Sequence, residues 1–301
     1  MSTAITSPLV ATQTAFSAEL APFGLVAGQE YQVEIQVQQV LGNWASSNTV
    51  TMRLRREQRP AAGKVTRYAV SLLAFEQTNS QGLHALTADL TRLRQELLFE
   101  TDATGAIANV VNTADLQARF AALEPFLCKK YRDSELVTPA MLQAAGQVLA
   151  DGQHLARVLG EAPEYALLFP DLEGSAFAPE PMPHRPRRLP RVLGALDLTL
   201  QTRAWTVAPP AGVAQAICIE GRPDPAHEQP DEVRAAVRAL TGQYNAAADL
   251  TVQHLERYER NAAGTLSSAA RYTSAAIPGV FFSQTVATLL AATPPAATPA
   301  A

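Results

Sequence analysis

Residues 96–128 read ELLFETDATGAIANVVNTADLQARFAALEPFLC, and this stretch decides the predicted fold. Its alternating apolar residues are typical of a strand, residues 102–105 form a turn signal, and a second apolar strand begins at Ile107. Asn112 or Thr113 then caps a helix whose apolar side chains recur at three- and four-residue steps. A hairpin that runs directly into an amphipathic helix predicts a helix lying across an antiparallel sheet.

Strict alternation of apolar and polar residues marks three strands before this stretch. The clearest runs from Tyr31 to Val37, where every second residue is Gln or Glu. Similar patterns at residues 50–55 and 65–75, with short links between them, predict an antiparallel meander. Leucines at helical spacing over residues 83–93 predict a short helix before the hairpin.

Further helix and strand signals follow Cys128, and their order does not form a repeat of the first part. Thr138 and Pro139 open a helix that is predicted to end near Gly160, with proline at its first position. Further strands and one helix are predicted at residues 196–207, 213–220, 230–242, 249–259, 265–273 and 280–290. The predicted fold class is therefore α+β, with a largely antiparallel curved sheet of meander and hairpin strands packed against a few amphipathic helices.

Composition predicts how the chain is divided. The predicted segments are a flexible N-terminal arm (1–28), an α+β half (29–160), a Pro-rich crossing or linker (161–192), a second α+β half (193–291) and a disordered tail (292–301). Seven prolines between residues 163 and 190 argue against a regular helix or a central strand there. Two separate lobes and a single sheet formed by both halves are both compatible with this division. A single structure is favoured, because each half alone has few strands against which to bury its helices.

Charge and hydropathy exclude several function classes. The chain has 301 residues, 47% of them hydrophobic, and a net charge of −4, so it can bury a core but has no positive field for nucleic acid. It contains no apolar run long enough to predict a membrane span, and its first residues do not read as a secretory signal. These features predict a soluble, cytoplasmic protein, and the alanine- and arginine-rich composition suggests a bacterial source.

Motifs of nucleotide, zinc and hydrolase chemistry are missing from the sequence. It has no GxxxxGK[ST], no glycine-rich dinucleotide turn, no GxSxG, no HExxH and no paired CxxC, so we predict no cofactor and no metal. Cys128 and Cys218 are predicted to be buried free thiols, although Lys129 and Lys130 beside Cys128 would favour a thiolate.

Two histidines stand near carboxylates and are weak catalytic candidates. His227 and Glu228 lie in a loop before a helix. One hypothesis is that they bind a metal or act as a general base; the alternative is that acidic residues here only stabilise the N-terminus of the helix. His254 and Glu256 lie two residues apart in a strand, so both point to one face. That face either lines a groove or is the solvent-exposed side of the sheet.

Candidates for ligand or partner binding come from charge and aromaticity. The run HRPRR at residues 184–188 concentrates positive charge, so Arg185, Arg187 and Arg188 are candidates for holding an acidic group; the alternative is a solvated linker. Trp44 and Trp205 lie near loops, where they are either partner anchors or core.

The sequence favours a non-enzymatic binding or assembly protein: a structural subunit, an adaptor, or a carrier of a hydrophobic or peptide ligand. A protein partner or homo-oligomer is expected, because strand edges and a loose arm favour association. The alternation of strands and helices resembles that of sheets that curl around helices to form a ligand groove, as in lipid-carrier folds. The alternative is an enzyme of unusual type, such as a hydrolase, with a site built from a histidine and carboxylates.

Overall fold

The structure, a computed structural model, describes residues 28–61, 65–194, 196–227, 230–242 and 249–292. The predicted N-terminal arm lies outside these residues except for Gly28, and the predicted tail does so except for Ala292. Within the described ranges, eleven strands form one antiparallel sheet that stays open, and six α-helices accompany it. The predicted α+β class with a curved antiparallel sheet is confirmed.

The strands are β1 Gln29–Leu41, β2 Trp44–Arg59, β3 Thr66–Gln77, β4 Glu96–Thr101, β5 Ile107–Val110, β6 Met182–Leu193, β7 Leu196–Val207, β8 Gln215–Pro223, β9 Thr251–Arg260, β10 Leu266–Ile277 and β11 Phe281–Ala291. The helices are α1 Gly82–Thr91, α2 Thr113–Lys130, α3 Pro139–Ala150, α4 Gly152–Glu161, α5 Pro163–Leu168 and α6 Pro230–Thr241.

Strand order explains how the two halves of the chain join. It runs β5-β4-β3-β2-β1-β11-β10-β9-β8-β7-β6, so each half forms a meander of sequential neighbours. The two meanders meet where β1 pairs with β11, for example at Val33 and Leu289. One sheet fed by both halves is therefore the observed arrangement, and β5 and β6 lie at its two ends.

The two faces of the sheet follow from the period of two. Tyr31, Val33 and Ile35 are at most 6% exposed and belong to the main core, and we call their side of the sheet the inner face. Gln32 and Gln36 lie on the other side and are exposed, and we call that side the outer face. Helices α1–α5 pack on the inner face, because leucines from each of them join the same core.

Helix α6 builds a second, smaller core. Its Val233 and Val237 pack with Leu193 and Leu196 at the β6–β7 turn and with Ile277 at the end of β10. The two charged residues of its first turn, Asp231 and Glu232, suit the positive end of the helix dipole.

The predicted helix over residues 139–160 is in fact two helices. Asp151 has extended backbone angles (φ −112°, ψ 109°), ends α3, and accepts hydrogen bonds from the backbone N–H groups of Gln153 and His154 to cap α4. The continuous apolar stripe concealed this break. The Asp151 carboxylate accepts hydrogen bonds from backbone N–H groups that would otherwise bond within a continuous helix. This competition is the local reason why a new helix begins after Asp151.

The Pro-rich passage contains regular structure, so the expectation of no helix there is wrong. Pro163 stands at the first position of α5, where its missing N–H costs nothing. Pro183, Pro186 and Pro190 lie in β6, which is an edge strand and tolerates them. Because β6 is an edge strand, the expectation that the prolines exclude a central strand agrees with the structure. The proposed boundaries of the Pro-rich segment remain a prediction.

Candidate functional site

Charged and polar side chains meet on the inner face of β9, and we call this group the polar network. Its members are Asp171, His184, Arg187, His254, Glu256, Tyr258, Arg271 and Thr273. Strand β9 supplies three of them at alternate positions: His254, Glu256 and Tyr258 are 1%, 3% and 1% exposed. The period of two that normally places apolar residues inward therefore places an imidazole, a carboxylate and a phenol there.

Arg187 is the centre of the polar network. Its Nε and Nη2 donate to the two carboxylate oxygens of Glu256 at 3.2 and 3.0 Å. Its Nη1 and Nη2 donate to the two oxygens of Asp171, both at 2.8 Å. One planar guanidinium thus binds two carboxylates in bidentate geometry, which is the strongest form of this contact.

His254 lies between a hydroxyl and a carboxylate. Its Nε2 is 3.0 Å from Oε1 of Glu256, and its Nδ1 is 2.9 Å from Oγ1 of Thr273 on the neighbouring strand β10. A neutral ring with its proton on Nε2 satisfies both contacts, since Nδ1 then accepts from the threonine hydroxyl. Burial lowers the pKa of His254 and outweighs the opposing effect of the Glu256 carboxylate, so the ring is neutral at pH 7.

The carboxylates of the polar network are held ionised. Burial alone would raise the pKa of Glu256, but the charge of Arg187, the hydrogen bond from His254 and the charge of Arg271 hold it well below its usual range. Burial also opposes ionisation of Asp171, and contacts with His184 and Arg187 leave its pKa below the ordinary value. Two arginines therefore face two carboxylates, and the buried charge is balanced.

Tyr258 and Arg271 complete the surroundings of Glu256. The Tyr258 hydroxyl donates to Glu256 Oε2 at 3.0 Å, and Arg271 Nε lies 3.9 Å from Oε1. Burial raises the pKa of Tyr258 well above its usual value, and the neighbouring Glu256 charge acts in the same direction. The phenol therefore stays protonated and serves as a hydrogen-bond donor.

The loop between α5 and β6 brings Asp171 to the network. Asp171 has a φ of 52°, in the left-handed region, and its side chain is 11% exposed. A shallow recess beside it, too small to enclose a water molecule, is lined by Arg56, Tyr68, Thr104, Gly105 and residues 168–171 and 173. Arg56 donates from Nη1 to the carbonyl oxygen of Leu168 at 2.8 Å, so the end of α5 is also tied to strand β2.

The structure brings together three of the sequence candidates and leaves the others apart. His254, Glu256 and Arg187 form the polar network. Arg185 instead donates to Thr104 Oγ1 at 2.9 Å. Arg188 donates to Glu161 Oε1 at 3.0 Å and also to Asp197.

The two tryptophans and His227 lie elsewhere. Trp44 starts β2 at the tip of the β1–β2 hairpin and is 55% exposed, and Trp205 is half-buried in β7. His227 ends a short 3₁₀ turn before α6, and its side chain and Glu228 lie outside the described residues. Nearby Asp224 accepts from Gln201 Nε2 and from the Ala226 N–H, so it stabilises the turn.

Sequence reasoning missed several members of the polar network. Tyr258 continues the spacing of His254 and Glu256, so the period of two was a usable signal for it. Thr273 and Arg271 require the register of β9 with β10, which pairs them with His254 and Glu256. Asp171 could not have been found, because only the curvature of the sheet brings its loop to β6.

The chemistry of the arrangement is limited by its burial. Thr273, His254 and Glu256 form a row of hydroxyl, imidazole and carboxylate, which is the order of groups used for proton transfer. However, the side chains of His254 and Glu256 are 0% and 1% exposed, so in this conformation a substrate cannot reach them. The described residues contain no group of three metal-ligating side chains.

Comparisons with known proteins find likeness in structure and not in sequence. No family model matches the chain, and no curated protein matches it in sequence. A solved structure that it resembles is that of lipovitellin, described by its lipid–protein interactions; the likeness covers 93% of this chain at 11% identity with a TM-score of 0.46. The chain spans 27% of the length of that lipovitellin chain. Among the described residues, no helix combines the length and apolar character needed to cross a membrane.

Proposed function

We propose that this protein is a non-enzymatic carrier of an elongated apolar ligand, such as a long acyl chain, held between the inner face of the sheet and its helices. The observation that carries the proposal is the covering of the inner face. That face is mainly apolar from β4 through β1 to β8, interrupted by the polar network on β9 and β10, and it is covered by separate helices instead of by a second sheet. A cover made of separate helices can part without breaking the ladder of the sheet.

Small side chains on the inner face support this function. Ala204, Ala269 and Ala287 are at most 4% exposed and belong to the main core, where larger residues would fill the space above the sheet. An acyl chain that replaces helix side chains over Ala269 and Ala287 lies on the apolar part of the face formed by β10, β11 and β1, whereas Ala204 lies on the other side of Arg271 and Glu256. The polar network on β9 and β10 interrupts this face, but its charges are balanced and it offers no unpaired carboxylate to repel an apolar ligand.

The closed packing of the molecule requires that ligand binding be coupled to helix movement. The recess beside Asp171 encloses no space for even a water-sized sphere, whereas small-molecule sites typically enclose ~300–1,000 Å³. A ligand of acyl-chain length therefore takes the place of helical side chains.

A matched pair of variants on β10 tests the proposal. Ala269 faces inward and Ala270 is exposed on the outer face. We expect 11-(dansylamino)undecanoic acid to bind saturably, Ala269→Leu to weaken binding at least fivefold, and Ala270→Leu to leave it unchanged. Circular dichroism checks folding, and Ala287→Val provides a milder inward substitution. Lack of saturable binding to the wild-type chain, or equal effects of Ala269→Leu and Ala270→Leu, would overturn the proposal.

The second candidate is a hydrolase that uses the row Thr273, His254 and Glu256. The specific observation in its favour is the pair of contacts of 2.9 and 3.0 Å on the two nitrogens of His254. A screen with ester substrates, comparing the wild type with His254→Gln, tests it. Activity that depends on His254 supports the enzyme; activity unchanged in His254→Gln excludes this site. A cytoplasmic location and association with a protein partner or a second copy remain predictions from the sequence.

A further inference from the structure

We propose that the ligand enters through the seam between the edge strands β5 and β6, and that helix α4 moves to open it. This inference rests on the proposed carrier function and names the entrance to the same site. Because β5 and β6 stand at opposite ends of the open sheet, its curvature brings them near one helix without pairing them. Helix α4 contacts both edge strands and therefore fills the seam.

The underside of α4 is apolar and its outer side is polar. Leu155, Ala156 and Leu159 are 2–3% exposed and belong to the main core. Gln153 and His154 are exposed on the opposite side. Lifting α4 would expose three apolar side chains together with the inner face beneath them, which is unfavourable in water and is offset when an acyl chain covers them. The movement is therefore coupled to an apolar ligand.

Both ends of α4 carry a single extended residue that can act as a hinge. Asp151 separates α3 from α4, and Ala162, with φ −71° and ψ 133°, separates α4 from α5. Pro163 follows Ala162 and disfavours helical backbone at that residue, so α4 and α5 cannot merge into one rigid helix. A helix bounded by two such residues can rotate as a unit, with the backbone change confined to its ends.

The contacts that close the seam are exposed and therefore weak. Arg188 Nη1 binds Glu161 Oε1 at the end of α4, with 48% of the arginine side chain exposed. Arg185 reaches from β6 to the β4–β5 turn, where it binds Thr104 and lies 3.7 Å from Asp102. Exposed ion pairs of this kind contribute little to stability.

The neighbouring helix α5 is tied down by stronger contacts. Asp171, just beyond its end, is clamped by Arg187 with only 16% of the arginine side chain exposed, and the Leu168 carbonyl accepts from Arg56. The polar contacts at the end of α5 are buried or part-buried and charge-assisted, whereas the polar contact between α4 and β6 is an exposed ion pair. The difference assigns the movement to α4 instead of α5.

The N-terminus of α4 lies unusually close to β5. A Cβ atom added to Gly152 would lie 2.4 Å from the carbonyl oxygen of Val110 and 2.5 Å from Asn109 Oδ1. The contact at 2.4 Å is with backbone, so any side chain at this position must push α4 away from β5. Gly152→Ala is therefore a substitution that widens the seam, and we call it the wedge variant. Gly146→Ala is its matched control, because its Cβ would meet the Phe120 ring at 2.8 Å, between α3 and α2.

A cross-link across the seam is the decisive experiment. Glu161→Cys and Arg188→Cys are made in the full chain with Cys128→Ser and joined with bismaleimidoethane. The control is Gln32→Cys with Arg53→Cys, which are register partners exposed on the outer face. Uptake of 11-(dansylamino)undecanoic acid is followed by stopped-flow fluorescence. We expect the seam cross-link to slow uptake at least tenfold relative to the same variant before cross-linking, and the control cross-link to change it less than twofold.

The wedge variant gives an independent readout in the opposite direction. Gly152→Ala should speed uptake at least threefold at a temperature where circular dichroism shows a folded chain, and Gly146→Ala should not. Uptake at the wild-type rate through a cross-linked seam would overturn the inference while leaving the carrier function intact. Absence of saturable uptake by the wild-type chain would instead overturn the carrier function itself.

Discussion

Arg187 on the edge strand β6 and Glu256 on β9 share two hydrogen bonds, of 3.2 and 3.0 Å, although strands β7 and β8 lie between them in the sheet. A side chain can span that separation only where the sheet curls, so the pair marks the tight end of the curvature. The same guanidinium binds Asp171 in the α5–β6 loop. One buried arginine therefore links the edge strand β6, the strand β9 and the loop that follows α5.

Removing the charge of Glu256 should destabilise the protein strongly. Glu256→Gln leaves Arg187 and Arg271 with less negative charge in a buried site, which typically costs about 3–5 kcal/mol in the free energy of unfolding. Urea denaturation followed by circular dichroism measures this. Glu220→Gln is the control, because its partner Arg222 is 77% exposed and such a pair is worth about 0–1 kcal/mol. Equal effects of the two substitutions would contradict a stabilising role for the polar network.

His254 should make stability depend on pH near neutrality. Its folded-state pKa lies below the ordinary 6.5, so below that pH the unfolded chain binds a proton that the folded chain does not. Stability is therefore full above about pH 6.5 and falls as the pH drops towards the folded-state pKa, with a slope of at most ~1.4 kcal/mol per pH unit. The groups facing His254 are Glu256, Thr273, Arg187 and Arg271, and Glu256 stays ionised throughout this range.

Urea titrations between pH 5 and 8 measure the effect of His254. We expect His254→Gln to reduce the slope of stability against pH in this range. Gln253→Ala, at an exposed and non-titrating residue of the same strand, should leave the slope as it is. An unchanged slope in His254→Gln would show that the ring does not titrate differently in the folded and unfolded chains.

The side chain of Asn112 links the start of helix α2 to strand β4, instead of capping the helix. It is the N-cap of α2 but makes no side-chain cap bond; its Oδ1 accepts from the Leu98 N–H at 2.9 Å, and its Nδ2 donates to the Glu96 carbonyl at 3.0 Å. We expect Asn112→Ala to cost about 1–3 kcal/mol by leaving these groups unpaired. Gln117→Ala, at an exposed site of the same helix, should change stability by less than about 0.5 kcal/mol. Similar values for both would mean that the two bonds contribute nothing measurable.

The two cysteines should differ in reactivity. Both were predicted to be buried, but Cys128 is exposed at the end of α2, so that prediction is wrong for Cys128. Cys218 lies half-buried in β8, and burial raises the pKa of its thiol. A thiol reagent such as DTNB should therefore label one cysteine rapidly in the folded protein and the second at least tenfold more slowly. Cys128→Ser should remove the rapid phase; its persistence would contradict the assignment.

The sequence predicts where the strands lie and which side of each strand is buried. It does not predict the contacts between residues that are far apart in the chain. Alternation from Tyr31 to Val37 places β1 and its inner face correctly, because a half-buried strand must alternate. Apolar spacing could not reveal the break at Asp151, since α3 and α4 both present apolar residues to the same core. For the site, His254 and Glu256 were found by spacing, whereas their link to Arg187 and Asp171 depends on the curl of the sheet, which local patterns do not encode.

Paramagnetic broadening of methyl signals tests the central claim most directly. Leu289 is fully buried on the inner face, and the adjacent Leu290 is 58% exposed on the outer face. With a doxyl-labelled stearic acid bound, the methyl signals of Leu289 and of Ile219 on the inner face of β8 should broaden more strongly than those of Leu290 and the exposed Leu255. Broadening of Leu290 and Leu255 with Leu289 unaffected would place the ligand outside the sheet and contradict the account.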